Sequence, residues 1–390
     1  MTEVFLCAAR RTPIGRYGGA LSKVRPDDMA ALVIDGLLDL HPDLAVDEVV
    51  MGCANQAGED NRNVARMAVL LSRLGEEVPA LTVNRLCASG LDAVILGARA
   101  IRDGADVVLA GGVESMTRAP FVMGKAETAF ARAPEVFDTT IGWRFVNERI
   151  AATYGTESMG ETAENVARDN QVSRANQDAY ALRSQARYDP DWHRADILPV
   201  ALPGKGGGMV EADEHPRATS PEKLASLRPA FREGGTVTAG NAAGVNDGAA
   251  ALLLASADGV RRHRLTPVAR IGRSAAGAVA PSHMGMGPVA AVERLLARGG
   301  PHPRDCDVIE INEAFAAQVL ACLRSWGLAD DDPRVNAHGG GIALGHPLGM
   351  SGARIAAAAA RRLAEEGGGR ALATLCVGVG QGVALEILPA

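Results

Sequence analysis

Apolar positions along the chain fall into short runs, four to eight residues long, alternating with longer stretches in which they recur at helical spacing. Residues 3–8 read as a strand, and Asp27 or Asp28 can cap a helix carrying Met29, Leu32, Val33, Leu37 and Leu38 on one face. A strand over residues 46–53 and a helix carrying Val64, Met67, Ala68 and Leu71 follow. Residues 80–83 are again strand-like, and Leu91, Val94, Ile95 and Ala98 mark the next helix. Residues 105–110 are almost wholly apolar, which predicts a strand buried on both faces that ends at Gly111 and Gly112. Strands alternating with helices predict an α/β protein with a parallel or mixed sheet covered on both sides.

The pattern changes between about Arg118 and Gly235, where basic and acidic residues mix. Only two helices are convincing there, near residues 161–170 and 173–188, and Gly204 to Gly208 form a turn that includes Lys205. Their apolar faces argue for a binding subdomain or lid rather than a linker. After a Gly/Asn-rich loop and a buried strand ending near Ser256, the layout restarts. Strand 268–271, helix 289–296, strand 307–311 and helix 313–326 are followed by helix 351–363 and strand 371–376. The stretches ASGLDAVILGARAIRDGADVVLAGG and MSGARIAAAAARRLAEEGGGRALATLCVGVG share an SG start, a small-residue helix, a glycine break and an apolar strand, as a duplication would produce. The expected halves are residues 1–265, with an insertion at about 118–235, and residues 266–390.

Composition narrows the class. With 390 residues and 47% apolar content the chain can bury a large core, and a net charge of −6 argues against an extended nucleic-acid surface. No basic segment leads into a long apolar one at the start, and no stretch is apolar enough for a membrane span, so a cytoplasmic protein is expected. The six cysteines lie far apart without a CxxC pair, which predicts free thiols and no structural zinc.

One of these thiols stands where chemistry is expected. Cys87, in VNRLCASGLDA, falls between a strand and a helix, where unpaired N–H groups and the helix dipole favour a thiolate. Ala88, Ser89 and Gly90 leave the sulfur approachable, although a structural cysteine would fit the same position. His346 lies in GGGIALGHPLG, where Pro347 holds it out of the helical region, and an imidazole suits the removal of a thiol proton. Cys376 opens CVGVGQG, a glycine run whose amides can turn toward an oxyanion. Asn312, in EINEAFA, reads equally as a site residue or an N-cap.

NRLCASG, NEAF, GHPLG and CVGVGQG, in this order over essentially the full length, resemble the thiolase family. The resemblance implies a duplicated five-layer αβαβα fold with an inserted loop domain, in a homodimer or homotetramer. It implies Cys87 as the acyl-accepting nucleophile, His346 as its base, and Cys376 as the acid/base for the α-carbon. Asn312 would hold a water in one oxyanion hole with His346, and the amides of Cys87 and Gly378 would form another. Coenzyme A, a substrate rather than a resident cofactor, would lie against Met159, Arg217, Leu227, Phe231, Ala239, Ala243 and Phe315, with no metal needed.

Three positions depart from the family pattern: Ala243 where serine is frequent, His338 where asparagine is frequent, and Ser158 where biosynthetic members carry histidine. The blocks GCANQAGEDNRNVARMA and DTTIGWRFVN resemble the branch that cleaves 3-oxoadipyl-CoA to succinyl-CoA and acetyl-CoA. That acyl chain ends in a carboxylate, for which Arg62 or Arg144 is the candidate cation, a solvated or helix-face ion pair being the other reading of either residue. An acetyl-CoA acetyltransferase, a broad-range 3-ketoacyl-CoA thiolase and a non-catalytic acyl-CoA or lipid binder are the alternatives.

Overall fold

The computed structural model describes residues 2–204 and 206–390, so Lys205 of the glycine-rich turn lies outside it. Its main sheet consists of two sets of strands with the same order and directions. In the first, Phe5–Arg11, Asn246–Ala255, Val107–Ser115, Glu48–Gly52 and Ala80–Val83 lie side by side, the last three mutually parallel and Asn246–Ala255 antiparallel to both neighbours. In the second, Ala269–Ala278, Gln381–Pro389, Ala371–Val377 and Val308–Ile311 repeat that arrangement, and a parallel bridge from Ile309 to Val335 stands where the fifth strand would be. The sets join through one short antiparallel contact, Phe5 to Arg270 and Leu6 to Ala269.

Period-2 alternation sends each strand's side chains to opposite layers. Val108, Ala110, Leu252 and Leu254 of the first set and Ala373, Leu375, Val383 and Leu385 of the second close on the helices Ser89–Arg102 and Leu348–Glu366. The intervening Val107, Leu109, Leu253 and Ala255 face the helices Pro26–Leu40 and Val64–Leu71. On the far side, Ile309, Ile311, Leu372 and Ala384 face Gly287–Ala297 and Ala316–Ser325. Helix, sheet, helix, sheet and helix therefore follow in five layers.

The two middle helices touch backbone to backbone. A Cβ on Gly352 would fall on the backbone of Leu91, and one on Gly90 would fall on the carbonyl of Gly349. This contact explains a departure from the expected strand end: the strand does not stop at Gly111 but runs to Ser115, because Gly112 passes directly beneath the Gly349 carbonyl. Elsewhere Pro26 takes the first helical position and Arg25 the N-cap, leaving Asp27 and Asp28 in the first turn rather than as caps. The strand expected over 268–271 continues to Ala278, and the closing strand Gln381–Pro389 had no counterpart in the sequence reading. Between residues 118 and 235 the two expected helices form as Met159–Asp169 and Arg174–Ala186, joined by short helices and two small hairpins.

Candidate active site

Cys87 sits in a 3-10 turn, Leu86–Ala88, between the strand Ala80–Val83 and the helix Ser89–Arg102. The bend is held by three short bonds: Asn84 Oδ1 accepts from the Leu86 amide (2.8 Å), Ser89 Oγ accepts from the Arg85 amide (2.9 Å), and Ser89 Oγ donates to the Leu86 carbonyl (2.7 Å). Leu86 pays with a left-handed φ of 46°, unusual for a residue with a branched side chain. The expected thiolate is not what this site favours. Burial pushes the Cys87 thiol up to about 11, only partly countered by the Gly378 amide and its own amide, while Glu114 adds to the rise.

His346 follows Gly345, whose φ of 102° is needed because the side chain of Asn246 occupies the space a Cβ would take. Asn246 Oδ1 accepts the His346 amide at 2.9 Å. Ser351 Oγ donates its one proton to the Pro347 carbonyl (2.8 Å), so its contact of 2.6 Å with His346 Nδ1 must be one in which Nδ1–H is the donor. That fixes the tautomer and leaves Nε2 with its lone pair, 3.3 Å from Asn312 Nδ2. Burial, with Arg354 nearby, lowers His346 to about 3, so the ring is neutral at ordinary pH. Asn312 is not the N-cap of the following helix; Phe315 is, and the helix begins at Ala316. Asn312 is instead fully buried with its Oδ1 unpartnered.

Cys376 is the last residue but one of the buried strand Ala371–Val377, opposite Gly382, and its thiol is driven well above its ordinary range by burial first and by Cys87 second. The structure thus brings Cys87, Cys376 and Gly378 into one neighbourhood and Asn312 and His346 into another, linked by the packed middle helices. Glu114, which sequence reasoning missed, braces them. It accepts the amides of Ala54 (2.9 Å), Asn55 (3.0 Å) and Gly349 (2.8 Å), and burial raises it to about 7. A carboxylate on an otherwise apolar strand, VVLAGGVES, was its visible signal.

A cavity of about 380 Å³ opens over this group. Its lining includes Leu86, Met159 and Gly378, which neighbour Cys87 and Cys376, together with Leu348 and, from the insertion, Thr139 to Arg144. Ser158, also in the lining, caps the helix Met159–Asp169 in a reciprocal box with Glu161. Arg62 lies on an exposed turn outside this lining, which leaves Arg144 of the two expected cations.

The residues expected around coenzyme A also gather. Phe231 and Phe315 meet edge to face at 6.3 Å, and Phe315, Met159 and Cys376 share one apolar cluster. Leu227 lies against Gly240, Arg217 Nη2 donates to the Ala239 carbonyl (2.9 Å), and the Ala243 amide donates to Ala314 (2.9 Å). His338 stacks on Trp192 at 4.2 Å, outside the cavity lining. Among the described residues no three His, Cys, Asp or Glu side chains cluster as metal ligands, and no helix is long and apolar enough to cross a membrane.

Two like halves sharing one five-layered arrangement, with Cys87 and Cys376 close to each other, define a thiolase, and comparison with known families agrees. The family model described as Thiolase, N-terminal domain, matches residues 4–258, and Thiolase, C-terminal domain, matches residues 265–388. The chain belongs to the thiolase family.

Among its relatives, the beta-ketoadipyl-CoA thiolase of Pseudomonas aeruginosa is 58% identical over 99% of this chain and 98% of its own length. The 3-oxoadipyl-CoA/3-oxo-5,6-dehydrosuberyl-CoA thiolase of Escherichia coli is 56% identical over 99% of both chains. The solved structure of human mitochondrial 3-ketoacyl-CoA thiolase in complex with CoA is similar with a TM-score of 0.90 and 38% identity, covering 100% of this chain and 98% of that one.

Proposed function

We propose that this thiolase cleaves 3-oxoadipyl-CoA with coenzyme A to succinyl-CoA and acetyl-CoA. The observation that carries the chemistry is the pairing of two thiols, Cys87 and Cys376, beside the Gly378 amide. The names of the relatives at 56–58% identity support the substrate. Both acyl groups in the Escherichia coli relative's name end in a carboxylate.

In this reading His346 Nε2 takes the proton of Cys87, and the sulfur attacks the 3-oxo carbon. The C2–C3 bond breaks as the alkoxide collapses, leaving a succinyl thioester on Cys87 and a carbanion at C2 that takes the proton of Cys376. Acetyl-CoA leaves. The thiol of an incoming coenzyme A gives its proton to Cys376 and attacks the thioester, and Cys87 departs with the proton returned by His346. A high thiol pKa beside a neutral imidazole means that the proton moves when substrate arrives rather than in the resting enzyme. The Cys87 and Gly378 amides would hold the oxygen of the thioester, and the unpartnered Asn312 Oδ1 suits an ordered water for the other oxyanion.

Coenzyme A would lie along Met159, Arg217, Leu227, Phe231, Ala239, Ala243 and Phe315. We place the boundary between halves near residue 265, with residues 118–235 as the inserted domain. A cytoplasmic homodimer or homotetramer belongs to the same reading, and the exposed Leu70, Leu71 and Leu81 at the edge strand Ala80–Val83 support the association of copies.

The test is thiolysis of 3-oxoadipyl-CoA, 3-oxohexanoyl-CoA and acetoacetyl-CoA side by side. A preference for the first of about tenfold or more in kcat/KM, some 1.4 kcal/mol at the transition state, is expected. Equal rates, or a preference for acetoacetyl-CoA, would overturn the substrate assignment and leave a broad-range or acetyl-transferring enzyme.

A further inference from the structure

The cavity lining carries three charged side chains: Glu114, Arg144 and Glu157. Two of them are already engaged. Glu114 receives three backbone amides, and Glu157 Oε2 receives Asn165 Nδ2 at 2.9 Å. Among the described residues Arg144 makes no hydrogen bond or ion pair, although it is half-buried and faces a space walled largely by apolar atoms such as Leu86, Met116, Ile141, Trp143 and Leu348. A guanidinium so placed has a full fork of donors and no protein acceptor.

We infer that Arg144 forms a carboxylate subsite within the acyl cavity, which pairs with the distal carboxylate of a 3-oxo dicarboxylyl-CoA substrate and of the acyl-enzyme made from it. The inference rests on the proposed thiolase reaction and supplies the residue that sets its substrate class.

The loop that carries Arg144 is positioned from both sides. The hairpin of Phe121–Met123 with Val136–Asp138 leads into it, and Thr139 ties its start to the body: Thr139 Oγ1 donates to the Pro120 carbonyl (2.6 Å) and accepts from Asn55 Nδ2 (2.9 Å). Asn55 is itself held through its amide by Glu114, so the loop start and the floor of the active site share one hydrogen-bonded chain. On the other side Phe145, at a left-handed φ of 49°, turns back to pack on Phe137 with ring centres 4.8 Å apart. Gly142, at φ 92°, makes the bend before Trp143 and Arg144. The backbone is thus anchored while the long arginine side chain stays free to reach. That combination suits acyl chains of more than one length with a carboxylate at the end, because the cation can follow the terminus.

Discrimination would come from both directions. A carboxylate entering an apolar cavity without a cation keeps its desolvation cost, whereas a neutral methyl terminus leaves the guanidinium without an acceptor.

The experiment compares wild type with Arg144→Met and Arg144→Lys, each as the full chain, on 3-oxoadipyl-CoA and 3-oxohexanoyl-CoA. The expected result is that Arg144→Met reduces the kcat/KM ratio of the two substrates by about tenfold or more, with Arg144→Lys falling between, since lysine keeps the charge and loses the fork. A ratio unchanged in Arg144→Met, including equal loss on both substrates from a damaged fold, would overturn the subsite. Wild-type protein with no thiolysis of either substrate would instead refute the underlying reaction, so the two failures are separable.

Discussion

The imidazole of His346 illustrates how one hydroxyl decides what a side chain can do. Because Ser351 spends its proton on the Pro347 carbonyl, it can only accept from His346 Nδ1, and the lone pair is left on Nε2. Ser351→Ala should therefore lower kcat by about ten- to a hundredfold, a part of the ~10²–10⁴ a positioned general base supplies, with KM for coenzyme A little changed. A kcat equal to wild type would mean that the tautomer is set elsewhere. The pH profile gives a second readout. With His346 lowered to about 3, its protonated fraction grows only as pH falls toward that value. Activity should show no inflection near 6.5 from this ring, and an acid limb centred there would contradict the burial argument. Cys87, His346 and Cys376 stood out in the sequence because each lies in or just before a run of glycine and other small residues, Ala88 to Gly90, Gly339 to Gly349 and Gly378 to Gly382. Asn246 and Glu114 did not, since each owes its role to a partner that is distant in sequence, His346 at 100 positions and Gly349 at 235. Ser351, only five positions from His346, did not because its hydroxyl meets the ring through the turn that opens the helix rather than through any pattern of residue types. The thiol pKa was misread for the related reason that a helix end raises the thiolate fraction only where the sulfur keeps its solvent.

At the level of elements, the two middle helices control the geometry. Thirteen of the nineteen residues of Leu348–Glu366 are buried, so small residues are needed on nearly every face, and glycine is needed where it crosses Ser89–Arg102. Gly352→Ala would drive a methyl group into the backbone of Leu91. It should cost about 3 kcal/mol in urea unfolding, whereas Gly208→Ala, with open space around it, should stay within about 0.5 kcal/mol. Similar losses from both would show that the crossing tolerates separation. The periodicity predicted where most helices lie, and misjudged chiefly strand ends. Gly111 and Gly112 read as a terminus, but they are where a strand must thin to let a neighbouring backbone pass. Gln381–Pro389 went unread because the glycines before it mask the start of its alternation.

For the whole molecule, duplication explains why the site exists at all. Cys87 comes from the first half, while Asn312, His346 and Cys376 come from the second, and only the stacking of two like sheets around shared helices brings their elements together. The internal repeat of strand order was visible in the matched SG-helix-glycine-strand stretches, but the seam, a two-residue contact between Phe5–Leu6 and Ala269–Arg270, has no local sequence signal. The insertion supplies the cavity wall and Arg144, so in the proposed reading chemistry and substrate choice reside in different parts of the chain. The central claim, acyl transfer through Cys87, is tested most directly by mixing the protein with 3-oxoadipyl-CoA without free coenzyme A, quenching in acid, and mapping the adduct by peptide mass spectrometry. A single succinyl group on the peptide containing Cys87, absent in Cys87→Ala, is the expected result. Succinylation of Cys376 instead, or turnover that persists in Cys87→Ala, would contradict the account.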